Sequence, residues 1–230
     1  NFKGVISSFD KNFKENILVF DIGGGSTEFT LGNMNGIEKK ISLNIGSVRI
    51  TEKFFLEDGI YNYSEENRNK AKEWIKENLK KYEAVVLTWN DESYPELLRC
   101  TVNPPPVLYC CGRLLQTEKT VALVGSRKAD TYGLRAAHRL ARTLAEAGVT
   151  VISGGARGID TQAHLGTLAG GGMTWVVTGA GLDKTYPPEN AALFQRIIGA
   201  GGVVCSEFPF GTPPLGRNFP ARNRVIAGLS

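Results

Sequence analysis

Short apolar runs alternate with segments of helical periodicity throughout the second part of the chain. The runs predict four buried strands at residues 120–124, 149–152, 173–177 and 201–205, and the segments between them predict helices at 134–147, 164–169 and 190–198. Gly148 follows the first of these helices, at a position where a left-handed residue is favoured. Strands that alternate with helices in this rhythm favour a parallel sheet with crossover helices, a Rossmann-like α/β architecture.

The first part of the chain has a different pattern. Ile17–Phe20 is an apolar run that leads through Asp21 into three glycines, and a strand pattern resumes at Phe29. This predicts a strand–turn–strand hairpin with a glycine-rich tip. A helix at 64–80 with one apolar face follows, and two further strands at 84–88 and 107–110 flank a short helix at 94–99.

Composition changes abruptly near Tyr82. Residues 1–82 contain eleven lysines, two arginines and one alanine, whereas residues 83–230 contain three lysines, eleven arginines and seventeen alanines. Two domains of one protein normally share such a bias. We therefore predict two domains of different origin, 1–82 and 83–230, joined near Tyr82; a single gene with a lysine-rich domain is the alternative.

The whole-chain composition narrows the class of protein. The net charge of +4 is compatible with an anionic partner but does not require one. With no long apolar run and no signal-like leader, we expect a soluble, cytoplasmic protein without a membrane partner. The four cysteines form no C-x-x-C pair and the chain has two histidines, so we expect no metal site, no cofactor, and thiols that belong to the core.

The predicted hairpin tip carries groups that suit an anion. Glycines let backbone N–H groups approach it closely, neighbouring hydroxyls add donors, and flanking carboxylates are placed to orient a metal or water. These candidate phosphate-binding residues are Asp21, Gly23, Gly24, Gly25, Ser26, Thr27 and Glu28. A glycine-rich β-turn without a ligand is the alternative.

Two stretches of this segment are informative: Asp-Ile-Gly-Gly-Gly-Ser-Thr-Glu-Phe at 21–29 and Ser-Leu-Asn-Ile-Gly-Ser-Val-Arg-Ile-Thr-Glu at 42–52. They resemble the Ppx/GppA family. These are exopolyphosphatases and guanosine pentaphosphate phosphatases. The resemblance implies a fragment of the actin-like ATPase fold, in which this glycine loop is one of two phosphate-binding loops. The other loop and the acidic residue that activates water lie upstream of Asn1 in the family, so we expect no phosphatase activity.

In the second part, basic and glycine-rich turns follow three of the four predicted parallel strands. In such sheets the ligand binds beyond the carboxyl ends of the strands. The turns lack the single G-x-G-x-x-G of a dinucleotide site. Several basic turns along one edge suit a backbone that carries several phosphates better than one pyrophosphate.

Each polar residue at this edge also has a structural interpretation. Arg157 could pair with Asp160, and Asp160 could cap the following helix. His164 is better explained as a helix residue that bonds a backbone carbonyl. Arg222 and Arg224 stand near the predicted start of a helix at Val225, and packing alone explains these polar residues poorly.

The second part contains four notable blocks: Val-Gly-Ser-Arg at 124–127, Ser-Gly-Gly-Ala-Arg-Gly-Ile-Asp-Thr-Gln-Ala-His at 153–164, Gly-Leu-Asp-Lys-Thr-Tyr-Pro-Pro-Glu-Asn at 181–190 and Phe-Pro-Ala-Arg-Asn-Arg at 219–224. Together they resemble the DprA/Smf family. The resemblance implies a DNA-processing protein of natural transformation that binds single-stranded DNA, helps to load RecA and is not known as an enzyme. It implies these DNA-binding residues: Gly125, Ser126, Arg127, Ser153, Gly154, Gly155, Arg157, Gly158, Lys184, Phe219, Arg222, Asn223 and Arg224.

The family's sheet continues past the position of Ser230, and part of its dimerisation and RecA contacts lie there. We therefore expect a carboxyl-terminally truncated sheet and an incomplete homodimer interface. Two other functions stay open at this point. One is a phosphohydrolase of polyphosphate or guanosine pentaphosphate acting through the hairpin loop at 21–28, and the other is a nucleotide-binding enzyme of the lysine-decarboxylase-like Rossmann group.

Overall fold

The computed structural model describes residues 17–22, 27–33, 36–43, 53–54, 56–57, 60–61, 64–114 and 119–230, with side chains described for 53–54, 56, 64–114 and 119–230. The chain divides into two compact units, Asn1–Arg68 and Asn69–Ser230. The boundary near Tyr82 concerns the origin of the two sequences and not their packing, and it stays a prediction.

The first unit contains an antiparallel sheet of three strands, β1 (Ile17–Ile22), β2 (Thr27–Asn33) and β3 (Gly36–Leu43), in the order β1-β2-β3. Asp21 lies opposite Glu28 and Ile22 lies opposite Thr27. The predicted hairpin is therefore confirmed. A small antiparallel pair, β4 (Leu56–Glu57) and β5 (Ile60–Tyr61), follows it.

Helix α1 (Glu65–Lys81) agrees with the predicted helix at 64–80. Its first turn carries two glutamates and its last turn two lysines, as the helix dipole favours. Trp74 and Leu79, on the predicted apolar face, pack against a buried cluster of Ala84, Cys111 and Phe210 in the second unit. This part of α1 thus belongs to the core of the second unit.

The second unit is built on a sheet of six strands in the order β6-β7-β11-β10-β9-β8. The four strands β8 to β11 are parallel, and β7 and β6 extend the sheet antiparallel at one edge. Their bounds are β6 Ala84–Thr88, β7 Val107–Gly112, β8 Thr120–Ala122, β9 Thr150–Ser153, β10 Thr174–Val177 and β11 Val203–Ser206. The predicted Rossmann-like architecture is confirmed.

Helices cover both faces of this sheet. They are α2 (Glu96–Arg99), α3 (Thr131–Glu146), α4 (Ile159–Ala169), α5 (Ala191–Gly199) and α6 (Asn218–Gly228), with a 3₁₀ turn at Pro188–Asn190. Val151 of β9 packs against α3 and α4. The next residue, Ile152, shares a cluster with Val225 and Ile226 of α6. Because successive side chains of a strand point to opposite faces, α3 and α4 lie on one face and α6 lies on the other.

Two predictions about these elements were wrong in detail. The strand predicted as buried at 120–124 ends at Ala122, and Val121 and Val124 are exposed, because β8 is the edge strand of the sheet. The helix predicted to start near Val225 begins at Asn218 instead. Arg222 and Arg224 therefore lie in the middle of α6.

Candidate nucleic-acid interface

A cleft of about 530 Å³ lies beyond the carboxyl ends of the parallel strands. Gly125, Arg127, Phe219, Arg222 and Asn223, all predicted from the sequence, contribute to its lining. The turn after β8 supplies the first two, and α6 supplies the other three. The structure thus brings together residues that lie nearly 100 positions apart in the chain.

Two aromatic rings and a guanidinium form one wall of the cleft. Arg127 places its guanidinium carbon 4.8 Å from the centroid of the Phe219 ring, and the Tyr186 ring centroid lies 5.4 Å from that of Phe219. Arg127 is exposed and Phe219 is half-buried. An arginine over an aromatic face is a cation–π arrangement, and the same surfaces stack well on nucleobases.

The turn that carries Arg127 packs tightly on the turn before α4. Gly158 has φ +79°, and a Cβ at this position would overlap the carbonyl oxygen of Ser126. A Cβ at Gly125 would lie 2.7 Å from Cγ1 of Ile159. These glycines are therefore required for the close approach of the two turns, which positions Arg127 at the mouth of the cleft.

Arg222 holds the ends of two strands together. Its Nη1 donates to the carbonyl oxygen of Gly154 at 2.6 Å and also to that of Val177, while Nε donates to Oδ1 of Asn223 at 3.2 Å. The side chain is buried, with 3% exposure. Burial lowers the pKa of Arg222 below its usual value, and Asp160 opposes that shift.

Asp160 lies next to Arg222 at the turn after β9, which contains Gly154. A Cβ at Gly154 would be 2.6 Å from both Oδ2 of Asp160 and Nη2 of Arg222, so the two charged groups meet over that glycine. The Asp160 carboxylate accepts from the backbone N–H groups of Ala156 at 3.3 Å and Gly125 at 3.4 Å. Burial raises the pKa of Asp160, and these donors and Arg222 counteract it.

The proposed pairing of Arg157 with Asp160 was wrong. Arg157 forms an exposed ion pair with Glu189, just before α5, and this bond raises the pKa of Arg157 and lowers that of Glu189. Asp160 interacts with Arg222 instead, because its carboxylate turns inward beneath the Gly154 turn. No local sequence signal links Arg157 to Glu189.

The remaining basic candidates also have partners within the chain. Arg224 pairs with the buried carboxylate of Glu207 and donates from Nη1 to the carbonyl oxygen of Asn103 at 2.5 Å. Lys184 is exposed, with Nζ 3.5 Å from Oδ2 of Asp183. Neither residue is among those that line the cleft.

The turn after β9 is buried. The Ser153 hydroxyl donates to the carbonyl oxygen of Leu123 at 2.5 Å, and the carbonyl oxygen of Gly155 accepts from Asn190 at 2.9 Å. Ser126, in contrast, is exposed, and its hydroxyl accepts from the backbone N–H of Lys128 at 3.1 Å. That Ser153, Gly154 and Gly155 touch DNA stays a prediction.

His164 is a fully buried residue of α4, not a ligand contact on the surface. Its Nδ1 lies 2.8 Å from the hydroxyl of Thr174, which itself donates to the carbonyl oxygen of Val151 at 2.7 Å. The expected backbone carbonyl partner was therefore wrong, because the Thr174 hydroxyl lies between the ring and that carbonyl. Burial lowers the pKa of His164 to about 3.

The predicted phosphate loop of the first unit falls mostly outside the described residues. Gly23, Gly24, Gly25 and Ser26 lie there, while Asp21, Thr27 and Glu28 are at the facing ends of β1 and β2. The described side chains include no group of three or more His, Cys, Asp or Glu residues placed to hold a metal. None of the described helices is long and apolar enough to span a membrane.

Three cysteines, Cys110, Cys111 and Cys205, are buried and free, as expected. Cys100 is exposed, so its assignment to the core was wrong; it follows α2 at the surface, where its Sγ lies 3.5 Å from a Glu96 carboxylate oxygen. Sequence reasoning also missed Tyr186, which is absent from the predicted site residues. Its aromatic character beside the basic Lys184 was the available signal.

The amino-terminal segment matches the Ppx/GppA phosphatase family over residues 1–90. It is 84% identical over 83 residues to a bifunctional 3-dehydroquinate synthase/phosphatase of Fusobacterium nucleatum, which covers 36% of this chain and 12% of that protein. The chain therefore joins a fragment similar to this family to a second, unrelated segment.

The second segment has relatives in several bacteria. It is 46% identical over 149 residues to Protein Smf of Synechocystis, covering 63% of this chain and 37% of that protein. It is 42% identical over 140 residues to DNA processing protein DprA of Streptococcus pneumoniae, covering 60% of this chain and 49% of that protein. The chain thus spans less than half the length of these relatives.

Two solved structures share this fold. DNA processing protein A of Streptococcus pneumoniae superposes with a TM-score of 0.59 at 35% identity, covering 71% of this chain and 58% of that one. DNA processing protein A of Helicobacter pylori, solved for its single-stranded DNA binding mode, gives 0.57 at 34% identity, covering 65% and 66%. The family model of DNA recombination-mediator protein A matches residues 85–230. Through these residues, which make up more than half of its length, the chain belongs to the DNA recombination-mediator protein A family.

Proposed function

We propose that the second segment binds single-stranded DNA in the cleft between the turn after β8 and helix α6, and that it acts in DNA processing. The observation that carries this proposal is the stacking of Arg127 on Phe219, 4.8 Å from guanidinium carbon to ring centroid, beside Tyr186. The π-face of a base can stack on the aromatic rings, and the negative charge of a backbone phosphate can pair with the guanidinium. This one group of residues complements both.

The exposure of the cleft residues supports a single strand as the ligand. Ser126, Arg127 and Asn223 are exposed, so their side-chain donors are available to an incoming phosphate. No acidic partner pairs with Arg127 among the residues that the structure describes. Charge that is not neutralised within the protein is what a polyanion can use.

Binding of a labelled oligo-dT, measured by fluorescence anisotropy at several salt concentrations, tests the proposal. We expect the logarithm of the affinity to fall linearly with the logarithm of the salt concentration. Arg127→Ala should weaken binding and reduce the slope by about 0.7, the value of one single-strand phosphate contact. Arg196→Ala, an exposed arginine near the end of α5, is the matched control. Absence of binding by the folded chain at low salt would disprove the proposal.

We include the loading of RecA in the proposed function. The resemblance to the DprA/Smf family supports it. Sedimentation velocity of RecA and oligo-dT, measured with and without the chain, would test it. If the chain binds the DNA but RecA sediments at the same rate in both samples, the result would argue against RecA loading.

Hydrolysis of polyphosphate or guanosine pentaphosphate by the first segment is the second candidate function. The match to a protein named as a phosphatase favours this candidate. Release of orthophosphate that is lost in Asp21→Asn would support it, and release no greater than the buffer blank would exclude it for this chain.

A further inference from the structure

The exposed side of helix α3 carries an aromatic residue that the cleft does not use. Tyr132 in its first turn is 81% exposed, and its hydroxyl has no hydrogen-bond partner in the described part of the chain. A single exposed aromatic residue is common on protein surfaces. The residues around Tyr132 give it significance.

Two arginines share a helix face with Tyr132. Arg135 and Arg139 follow it by three and seven residues, which places all three side chains on one side of the helix. Both arginines are exposed, and neither has an ion-pair partner among the described residues. Arg142, further along α3, is different because its Nε lies 2.7 Å from the Glu146 carboxylate.

The first turn of α3 lies beside the turn that carries Arg127. The Ile159 side chain joins the two, since a Cβ at Gly125 would lie 2.7 Å from its Cγ1 and one at Gly133 would lie 3.7 Å from its Cδ1. Residues 125–146 contain five Lys or Arg side chains and two acidic ones. One of the two acidic residues, Asp130, accepts the backbone N–H of Gly133 at 2.7 Å as the helix cap.

We propose that single-stranded DNA leaving the cleft continues along this face of α3, where Tyr132 stacks on a base and Arg135 and Arg139 contact backbone phosphates. The two arginines are about 6 Å apart along the helix axis, so they can reach different phosphates of one strand. The inference rests on the proposed function of the cleft. The proximity of α3 to the cleft and the unpaired positive charge on this face favour DNA as its partner.

Oligonucleotide length separates this surface from the cleft. The full chain is titrated with an oligo-dT of about 4 nucleotides, which fills the cleft alone, and with one of about 16, which reaches α3. Tyr132→Ala should weaken binding of the long oligonucleotide roughly 5- to 20-fold and leave the short one unchanged. Tyr132→Phe, which keeps the ring, should restore the affinity.

The arginines are tested by their salt dependence. Arg135→Gln and Arg139→Gln should each reduce the salt slope for the long oligonucleotide by about 0.7. Arg196→Gln, which removes the same charge from the exposed surface of α5, should leave it unchanged. Thermal unfolding of each variant confirms that these exposed substitutions preserve the fold.

The outcomes separate the two proposals. If Tyr132→Ala binds the long oligonucleotide as tightly as the wild type while Arg127→Ala weakens both lengths, the α3 track is wrong and the cleft stands. Equal losses for both lengths in Tyr132→Ala would also overturn the track, because Tyr132 would then belong to the cleft. Unchanged DNA affinity with loss of RecA association would assign the surface to a protein. If the wild type binds neither length, both proposals fail.

Discussion

Substitution of Arg222 tests whether the basic edge of the sheet is structural, ligand-binding or both. We expect Arg222→Met to destabilise the second unit, because methionine retains an apolar stem but cannot donate to the carbonyl oxygens of Gly154 and Val177. The substitution also removes the positive charge that stabilises the buried Asp160 carboxylate, since Arg222 counteracts the rise in the pKa of Asp160 that burial causes. All of these groups are enclosed, so water does not easily take the place of the guanidinium as a donor.

The magnitude follows from the two carbonyl oxygens that the substitution leaves without a donor. A buried acceptor without its donor costs about 1–3 kcal/mol, and Arg222 donates to two such acceptors, so the loss is roughly 2–6 kcal/mol. The removal of a buried guanidinium, which is itself costly to desolvate, offsets part of this. We therefore expect the free energy of unfolding to fall by about 2–4 kcal/mol, or roughly 5–15 °C in Tm for a unit of this size.

Urea unfolding followed by tryptophan fluorescence measures this change. All three tryptophans, Trp74, Trp89 and Trp175, lie in the second unit, so the signal reports on that unit. Arg127→Met is the matched control. It removes the same charge from an exposed site and should change the free energy of unfolding by less than about 0.5 kcal/mol while weakening DNA binding.

The reasoning is refuted by the opposite pattern. If Arg222→Met unfolds at the wild-type urea concentration but no longer binds DNA, Arg222 contacts the ligand directly, as the family resemblance implies. Its bonds to Gly154 and Val177 would then contribute little to stability. A loss of stability in Arg127→Met equal to that in Arg222→Met would equally contradict the distinction between the two arginines.

Three further predictions concern stability, pH and ion pairing. Gly158→Ala should lower the free energy of unfolding more than Gly171→Ala in the same urea assay, and it should also weaken DNA binding. Both positions have positive φ, but a Cβ would overlap the Ser126 carbonyl only at Gly158. Equal losses of stability in the two variants would refute this. The free energy of unfolding should fall by about 1.4 kcal/mol per pH unit as the pH drops below the ordinary histidine pKa of 6.5. In this range His164 binds a proton in the unfolded chain but stays neutral in the folded one, where its pKa is about 3. His164→Gln should remove this slope and His138→Gln should keep it. Glu189→Gln should tighten DNA binding roughly 2- to 5-fold at low salt, because it releases Arg157, and an unchanged anisotropy titration would show that Arg157 takes no part in binding.

The strands and turns of the second unit could be predicted because they depend on local pattern. Apolar runs of four or five residues bounded by glycines identify parallel strands, and the carboxyl ends of such strands define one sheet edge. This pattern placed the turn at 125–127 at that edge, the family resemblance added Phe219, and Gly125, Arg127 and Phe219 do line one cleft. The hairpin of the first unit was predictable for the same reason.

Burial of individual charged residues could not be predicted in this way. Whether Arg222 points into the sheet or into solvent depends on where α6 crosses the ends of β9 and β10, which is a tertiary relation. The exposure of Val121 depends on β8 being the edge strand, since a central strand of the same sequence would bury it. The start of α6 was placed too late because its N-cap residue, Arg217, makes no side-chain capping hydrogen bond and is not a residue type that signals a helix start.

These differences change how the positive charge of the site should be counted. Five basic contacts were expected from the sequence, which implies a salt slope near −3.5 for a single strand. In the structure Arg222 is buried, while Arg224 and Arg157 pair with carboxylates and Lys184 lies close to one. Arg127 is thus the one of the five that is exposed without an acidic partner in the described part of the chain. Binding in the cleft should therefore depend more on stacking than on charge, with a slope closer to −1 than to −3.5. A steep slope with the short oligonucleotide would mean that DNA opens the ion pairs of Arg157 and Arg224 when it binds.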